Sequence, residues 1–95
     1  MTSVAVTARG EVVVLAVQGR LDAIAGAALL AAVGEAVDED VSRIEIDLRP
    51  VTSFTAAGAE ALARCREAND GLRDGLHYCT GPGPGHDALL VAYAD

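Results

Sequence analysis

Ile46-Asp47-Leu48-Arg49-Pro50-Val51-Thr52-Ser53-Phe54-Thr55-Ala56-Ala57-Gly58 is the stretch whose reading decides the fold. Ile44, Ile46 and Leu48 alternate with Glu45 and Asp47, the period-two pattern of a strand with one buried face. Pro50 blocks any helix before Val51, so a short turn is expected there. Thr55 then stands where an N-cap belongs, because its hydroxyl can accept one of the N–H groups that a first helical turn leaves unpaired. A helix is expected from Ala56 to about Asn69, with Ala57, Ala61, Leu62 and Cys65 as its inward stripe.

Working outward, Val4-Ala5-Val6-Thr7 reads as a short strand, and Arg9-Gly10-Glu11 has the length of a hairpin turn. Val12 to Val17 is a continuous β-branched run suited to an interior strand that is apolar on both faces. Gln18-Gly19-Arg20-Leu21-Asp22 is expected to break it. From Ala25 to Val37 the period turns helical: Leu29, Val33 and Val37 recur at four-residue steps, and Ala25, Ala28, Ala32 and Ala36 add close-packing positions. Asp38-Glu39-Asp40 opposes the helix dipole and marks a solvated exit. Past Gly71 and Gly75, Leu76 to Thr80 reads as a fourth strand, Gly81-Pro82-Gly83-Pro84-Gly85 as a connector, and His86 to Tyr93 as a short last helix. The expected fold is α/β: a small mixed sheet of about four strands with helices packed on it, in the order β-β-α-β-α-β-α.

The 95 residues are read as a single domain over 1–95, large enough to bury roughly 60–65% of the surface that its unfolded chain exposes. Hydrophobic residues make up 52% but aromatics only 3%, so close backbone approach must build the core as much as bulk does, and modest stability is expected. The net charge of −7, with Arg as the sole basic side chain, argues against nucleic acid, whose phosphates an acidic surface repels. Met1-Thr2-Ser3-Val4 has neither the basic start nor the apolar run of a signal peptide, and no stretch approaches the roughly 20 apolar residues that cross a bilayer. A cytoplasmic protein with no membrane partner is expected, with Cys65 and Cys79 reduced.

Chemistry-bearing residues are few. The helix start at Thr52 to Gly58 could hold an anion or a phosphate on a hydroxyl, since unpaired N–H groups and the dipole both favour negative charge. Ala56-Ala57-Gly58-Ala59 would also let another protein's backbone come close; equally, small residues there let the helix pack tightly on the sheet. Cys65, His77, Cys79 and His86 lack the paired knuckle spacing of structural zinc, so no metal or cofactor is implied. The Gly-Pro connector lacks the Gly-Lys-Ser/Thr of a phosphate-binding loop. No nucleophile elbow or triad pattern is present, and an enzyme is not expected.

On these residues the chain resembles the STAS domain, the anti-sigma-factor antagonist family of bacterial partner-switching systems. Gln18-Gly19-Arg20-Leu21-Asp22 is similar to the family's GxLD segment. Ile46-Asp47-Leu48 followed by Val51-Thr52 is similar to its (V/L)DLxxVxxxDSSG block, and the likeness runs from Val4 to the Gly-Pro connector. In that register the family's Asp falls on Thr55, its first Ser on Ala56 and its phosphorylated Ser on Ala57, while Gly58 is retained. The resemblance implies a role in transcription regulation, with an anti-sigma factor that is an ATP-binding serine-protein kinase as partner. Asp22, Thr52, Ser53, Thr55, Ala56, Ala57 and Gly58 would form the contact.

In the family, a phosphate adds about −1.5 to −2 charges to that contact and disrupts binding. Ala57 cannot carry one, which implies a constitutive binder or a lapsed switch, with Thr55 as the candidate displaced phosphoacceptor. The competing reading is a scaffold that self-associates as a homodimer within a signalling assembly; a third is a small ligand at the helix start.

Overall fold

The computed structural model describes residues 3–37 and 40–94, so the expectations for Met1-Thr2 and for Asp38-Glu39 lie outside the described residues. Among these residues the order is β1 (Ser3–Arg9), β2 (Val12–Leu21), α1 (Ala23–Ala36), β3 (Arg43–Asp47), β4 (Val51–Phe54), α2 (Ala56–Cys65), a 3-10 segment (Arg66–Gly71), β5 (Leu76–Cys79) and α3 (Pro84–Ala92). β2 is central: β1 lies antiparallel on one side, β3 lies parallel on the other, and β5 pairs β3 at the far edge.

The expected α/β order is present, with five strands among the described residues instead of about four. The additional one is β4, in the segment read as a turn after Pro50. It pairs β2 in parallel at Gly19 to Leu21, beyond the point where β3 stops. Gln18 to Asp22 therefore does not break β2. Gly19 takes φ 87°, a left-handed geometry that glycine adopts without a Cβ penalty, and the register shifts between Gly19 and Arg20. Its N–H donates to the Pro50 carbonyl at 3.2 Å, joining the shifted strand to the turn. One long strand thus serves two partners in succession.

Val13, Leu15 and Val17 are buried while Val12, Val14 and Ala16 are only half-buried, so the helices cover one face of the sheet. The Val12–Val17 run is not apolar-packed on both sides as expected. Arg43, Glu45 and Asp47 of β3 occupy the open face, with Arg43 and Glu45 paired at 3.0 Å. On the covered face Leu15, Leu21, Leu29, Ile44, Ile46, Leu48 and Leu62 are fully buried. Each such side chain contributes about 1.5–3 kcal/mol of transfer free energy.

The helix boundaries move for identifiable reasons. α1 begins at Ala23, because Asp22 caps it; Ala25, Gly26, Leu29 and Val33 form its buried face, while Ala28 and Val37 are exposed. Gly26 meets Ala61 of α2 so closely that a Cβ on it would lie 2.6 Å from the Ala61 Cβ. α2 stops at Cys65 and tightens into the 3-10 segment, and Ala57 is exposed rather than on the inward stripe. α3 starts at Pro84, whose fixed φ suits the first helical turn, which shortens the connector.

Candidate functional site

α1 and α2 both begin at the end of the sheet where β2 and β4 finish, and a polar side chain caps each. Asp22 has extended backbone, and its Oδ1 accepts the Ala25 N–H at 3.0 Å. Thr55 is likewise extended, and its Oγ1 accepts the Gly58 N–H at 3.2 Å. Each satisfies a donor that the helix cannot pair internally. No acidic side chain occupies the first turn of either helix.

The Leu21 carbonyl ties the two starts together. It accepts the Thr55 N–H at 3.0 Å, and Asp22 follows it in the chain. It also lies against Gly58: a Cβ there would sit 2.0 Å from the Leu21 oxygen and 2.6 Å from its carbon. Only a residue without a side chain lets the first turn of α2 rest on the end of β2.

Of the residues expected to form a contact, Thr52, Ser53, Ala56 and Ala57 are exposed, and Asp22 and Thr55 are half-buried. Gly58 is buried beneath them and shapes the surface from below. A shallow groove of about 200 Å³ continues this surface between α1 and α2, lined by Ala23, Ala27 and Leu30 on one side and Ala57 and Ala61 on the other. The Glu60–Arg64 pair, at 3.1 Å, borders it. Ile24, beside the Asp22 cap, is 81% exposed. It sits about 140° around the helix from Leu29, off the apolar stripe that the four-residue periodicity marks. That offset of a large apolar residue is itself the signal that could have found it.

The sulfur and imidazole groups do not converge: among the described residues no three His, Cys, Asp or Glu side chains group as metal ligands. Cys65 is buried and Cys79 is exposed. Burial pushes the Cys65 thiol up to about 12, which keeps it protonated and unreactive. His77 lies on the open face, its Nε2 2.8 Å from the Asp74 carbonyl oxygen. Tyr78 points the other way, where its hydroxyl donates to the Leu62 carbonyl of α2 and accepts from Tyr93. Burial, and then the Tyr93 hydrogen bond, raise its phenol. No helix among the described residues is long and apolar enough to cross a membrane.

A one-faced mixed sheet with two capped helix starts at one end defines a small α/β domain that presents a loop-and-helix surface. The family model described as "Mlab, STAS domain" matches residues 4–92, and the chain belongs to that family. An anti-sigma factor antagonist from Mycobacterium paratuberculosis is similar in structure at a TM-score of 0.75 and 26% identity, over 95% of this chain and 77% of that one. The unphosphorylated anti-sigma factor antagonist SpoIIAA is similar at 0.66 and 21%, over 94% and 80%. Its phosphorylated form, the Bacillus cell fate determinant SpoIIAA, is similar at 0.67 and 18%, over 95% and 80%. No curated protein sequence matches. The fold expected from the resemblance is therefore the fold observed.

Proposed function

We propose that this domain is a non-enzymatic, protein-binding regulatory module whose partner is an anti-sigma factor of the ATP-binding serine-kinase type. The observation that carries the reading is the start of α2, where Ala56 and Ala57 are exposed beside the Asp22 and Thr55 caps on a surface bare of first-turn charge. The antagonist fold, including the 26%-identical relative, supports assigning that surface to partner contact. Ile24 and the α1–α2 groove extend it with an apolar anchor and small residues that admit close backbone approach.

In this reading Ala57 stands at the phosphoacceptor position and offers no hydroxyl. Thr55 does not replace it, because its hydroxyl already caps α2. Phosphate on that oxygen would have to displace the Gly58 N–H bond that holds the first turn. Binding is then insensitive to ATP, and the module is a constitutive antagonist.

The test mixes the purified protein with the ATP-binding anti-sigma kinases of its own genome, with and without ATP, and takes the intact mass. A complex that survives ATP, with no added phosphate, is the expected result. Phosphate on Thr55 with loss of the complex would replace constitutive binding by a moved switch. No complex with any kinase would overturn the reading.

A further inference from the structure

The free edge of the sheet at β1 is built to pair with itself. Gly10-Glu11 closes the β1–β2 hairpin as a two-residue loop between the partners Arg9 and Val12. Gly10 has φ 60°, and no non-glycine residue among those described has positive φ, so the loop has the signs of a type II′ turn. In such a loop the closing pair exchanges both hydrogen bonds, and the alternation of an antiparallel ladder fixes the rest. Arg9, Thr7, Ala5 and Ser3 turn their N–H and C=O groups toward β2. Val4, Val6 and Ala8 turn theirs outward.

Apart from Arg9 beside the turn, that edge has none of the devices that usually blunt one. Ser3 to Ala8 contains no charge and no proline, and along the seven-residue strand Val4 alone is half-buried while the rest, with Arg9 at the turn end as its single charge, is exposed. Val6 is 61% exposed, and behind it a groove of about 300 Å³ runs between β1 and the second half of α1, lined by Val13, Ala32, Ala36 and Val41 together with the acidic Glu35 and Asp40.

We infer that the β1 edge is a homodimer interface, on which a second copy of this chain adds its own β1 antiparallel across a two-fold axis at Val6. In that register Val6 faces the partner's Val6, Val4 faces the partner's Ala8, and Ala8 faces the partner's Val4. Every outward N–H and C=O of the edge then finds a bond. Sliding by two residues leaves either Val4 or Ala8 without its mate, so one register is selected. On the helix side the paired residues are all small and apolar, and the two Val6 side chains meet at the mouths of the two grooves. On the open face Ala5 meets the partner's Thr7, and Ser3 meets the partner's Arg9, so no like charges are opposed. The contact is isologous, as a closed pair requires. A seven-residue strand pair falls at the small end of specific interfaces, so the dimer is weak. None of its residues belongs to the proposed partner surface at Asp22 and 52–58.

Sedimentation equilibrium at about 0.15 M ionic strength, which screens the −7 charge of each copy, should show a monomer–dimer equilibrium that shifts toward dimer as the chain concentration is raised. Val6→Lys sets two ammonium groups face to face and should leave monomer at every concentration with an unchanged melting curve. Cysteine pairs read the register, in a Cys79→Ser background that removes the exposed native thiol. Directly opposed residues have Cα atoms about 5.5 Å apart, within reach of a disulfide. Val6→Cys should cross-link with itself on oxidation. Val4→Cys and Ala8→Cys should each form no disulfide alone and cross-link when mixed. A monomeric mass throughout, or self-cross-linking equal at all three positions in folded protein, would overturn the inference.

Discussion

Gly58→Ala is the substitution to which this architecture should be least tolerant, although it adds one methyl group to a helix. Its Cβ would lie 2.0 Å from the Leu21 oxygen, against the 3.4 Å at which ordinary contact begins. The obstacle is backbone, fixed by its place in β2 and by the Thr55 N–H that it accepts at 3.0 Å. Either α2 lifts off the sheet or the end of β2 moves. Overpacking of this kind costs about 1–3 kcal/mol and sometimes more, and losing the Leu21–Thr55 bond adds about 1 kcal/mol. Alanine's better helix propensity returns about 0.5–1 kcal/mol. The net loss is about 1–3.5 kcal/mol, a large share of the roughly 5–14 kcal/mol that holds a domain of this length.

Thermal unfolding followed by far-UV circular dichroism should therefore show a midpoint lower by about 5–25 °C. Gly34→Ala is the internal control. It too lies within a helix, α1, but nothing stands within 4 Å of its added Cβ, so the propensity gain is unopposed. It should stabilise by about 0.5–1 kcal/mol. If Gly58→Ala melted within about 3 °C of the parent protein, the close contact with Leu21 would not be the reason for glycine there.

Removing either cap should cost about 0.5–2 kcal/mol, so Asp22→Ala and Thr55→Ala should each lower the urea midpoint, with Asp22→Asn nearly neutral. The guanidinium of Arg49, bonded to Asp47 at 2.9 and 3.0 Å, holds that carboxyl below its ordinary range. Its small stabilising contribution is present above about pH 4 and lost as pH falls through the lowered folded-state value, so Arg49→Ala and parent should converge in urea midpoint at the acid end. For Cys65 the sign reverses: with the folded thiol pushed up to about 12, stability falls as pH rises above 9.0, the ordinary value, because only the unfolded thiol ionises. A thiol reagent at neutral pH should accordingly modify Cys79 in native protein and both cysteines after denaturation. Ala57→Ser should leave stability unchanged, since position 57 is exposed, and should make partner binding sensitive to ATP with phosphate on the new serine; unchanged binding and no phosphate would count against the proposed alignment.

The parts of this structure legible in the sequence were those fixed by local physics. Ile44, Ile46 and Leu48 alternate because β3 has one covered face, and Thr55 caps because a first turn needs an acceptor. The parts that were not legible depend on contacts made far along the chain. Val51–Phe54 has no intrinsic pattern long enough to mark a strand; it is one because β2 passes Gly19, shifts its register and presents a second edge to it. Gln18 to Asp22 reads as a break after Val17, yet β2 continues to Leu21 and Asp22 caps α1, because the strand runs directly into the helix.

The same division explains why the candidate surface keeps its shape in a chain so poor in large side chains. Its geometry is set by backbone: the Leu21 carbonyl under Gly58, and Gly26 against Ala61 where the two helices cross. The exposed side chains above, Ala56 and Ala57, carry little of that load. A hydroxyl, or the phosphate placed on one, can therefore be gained or lost at position 57 without refolding the surface that presents it. A change one residue later must move a helix. Neighbouring positions thus divide the work: position 57 is free to set what a partner meets, and position 58 determines whether there is a surface to meet at all.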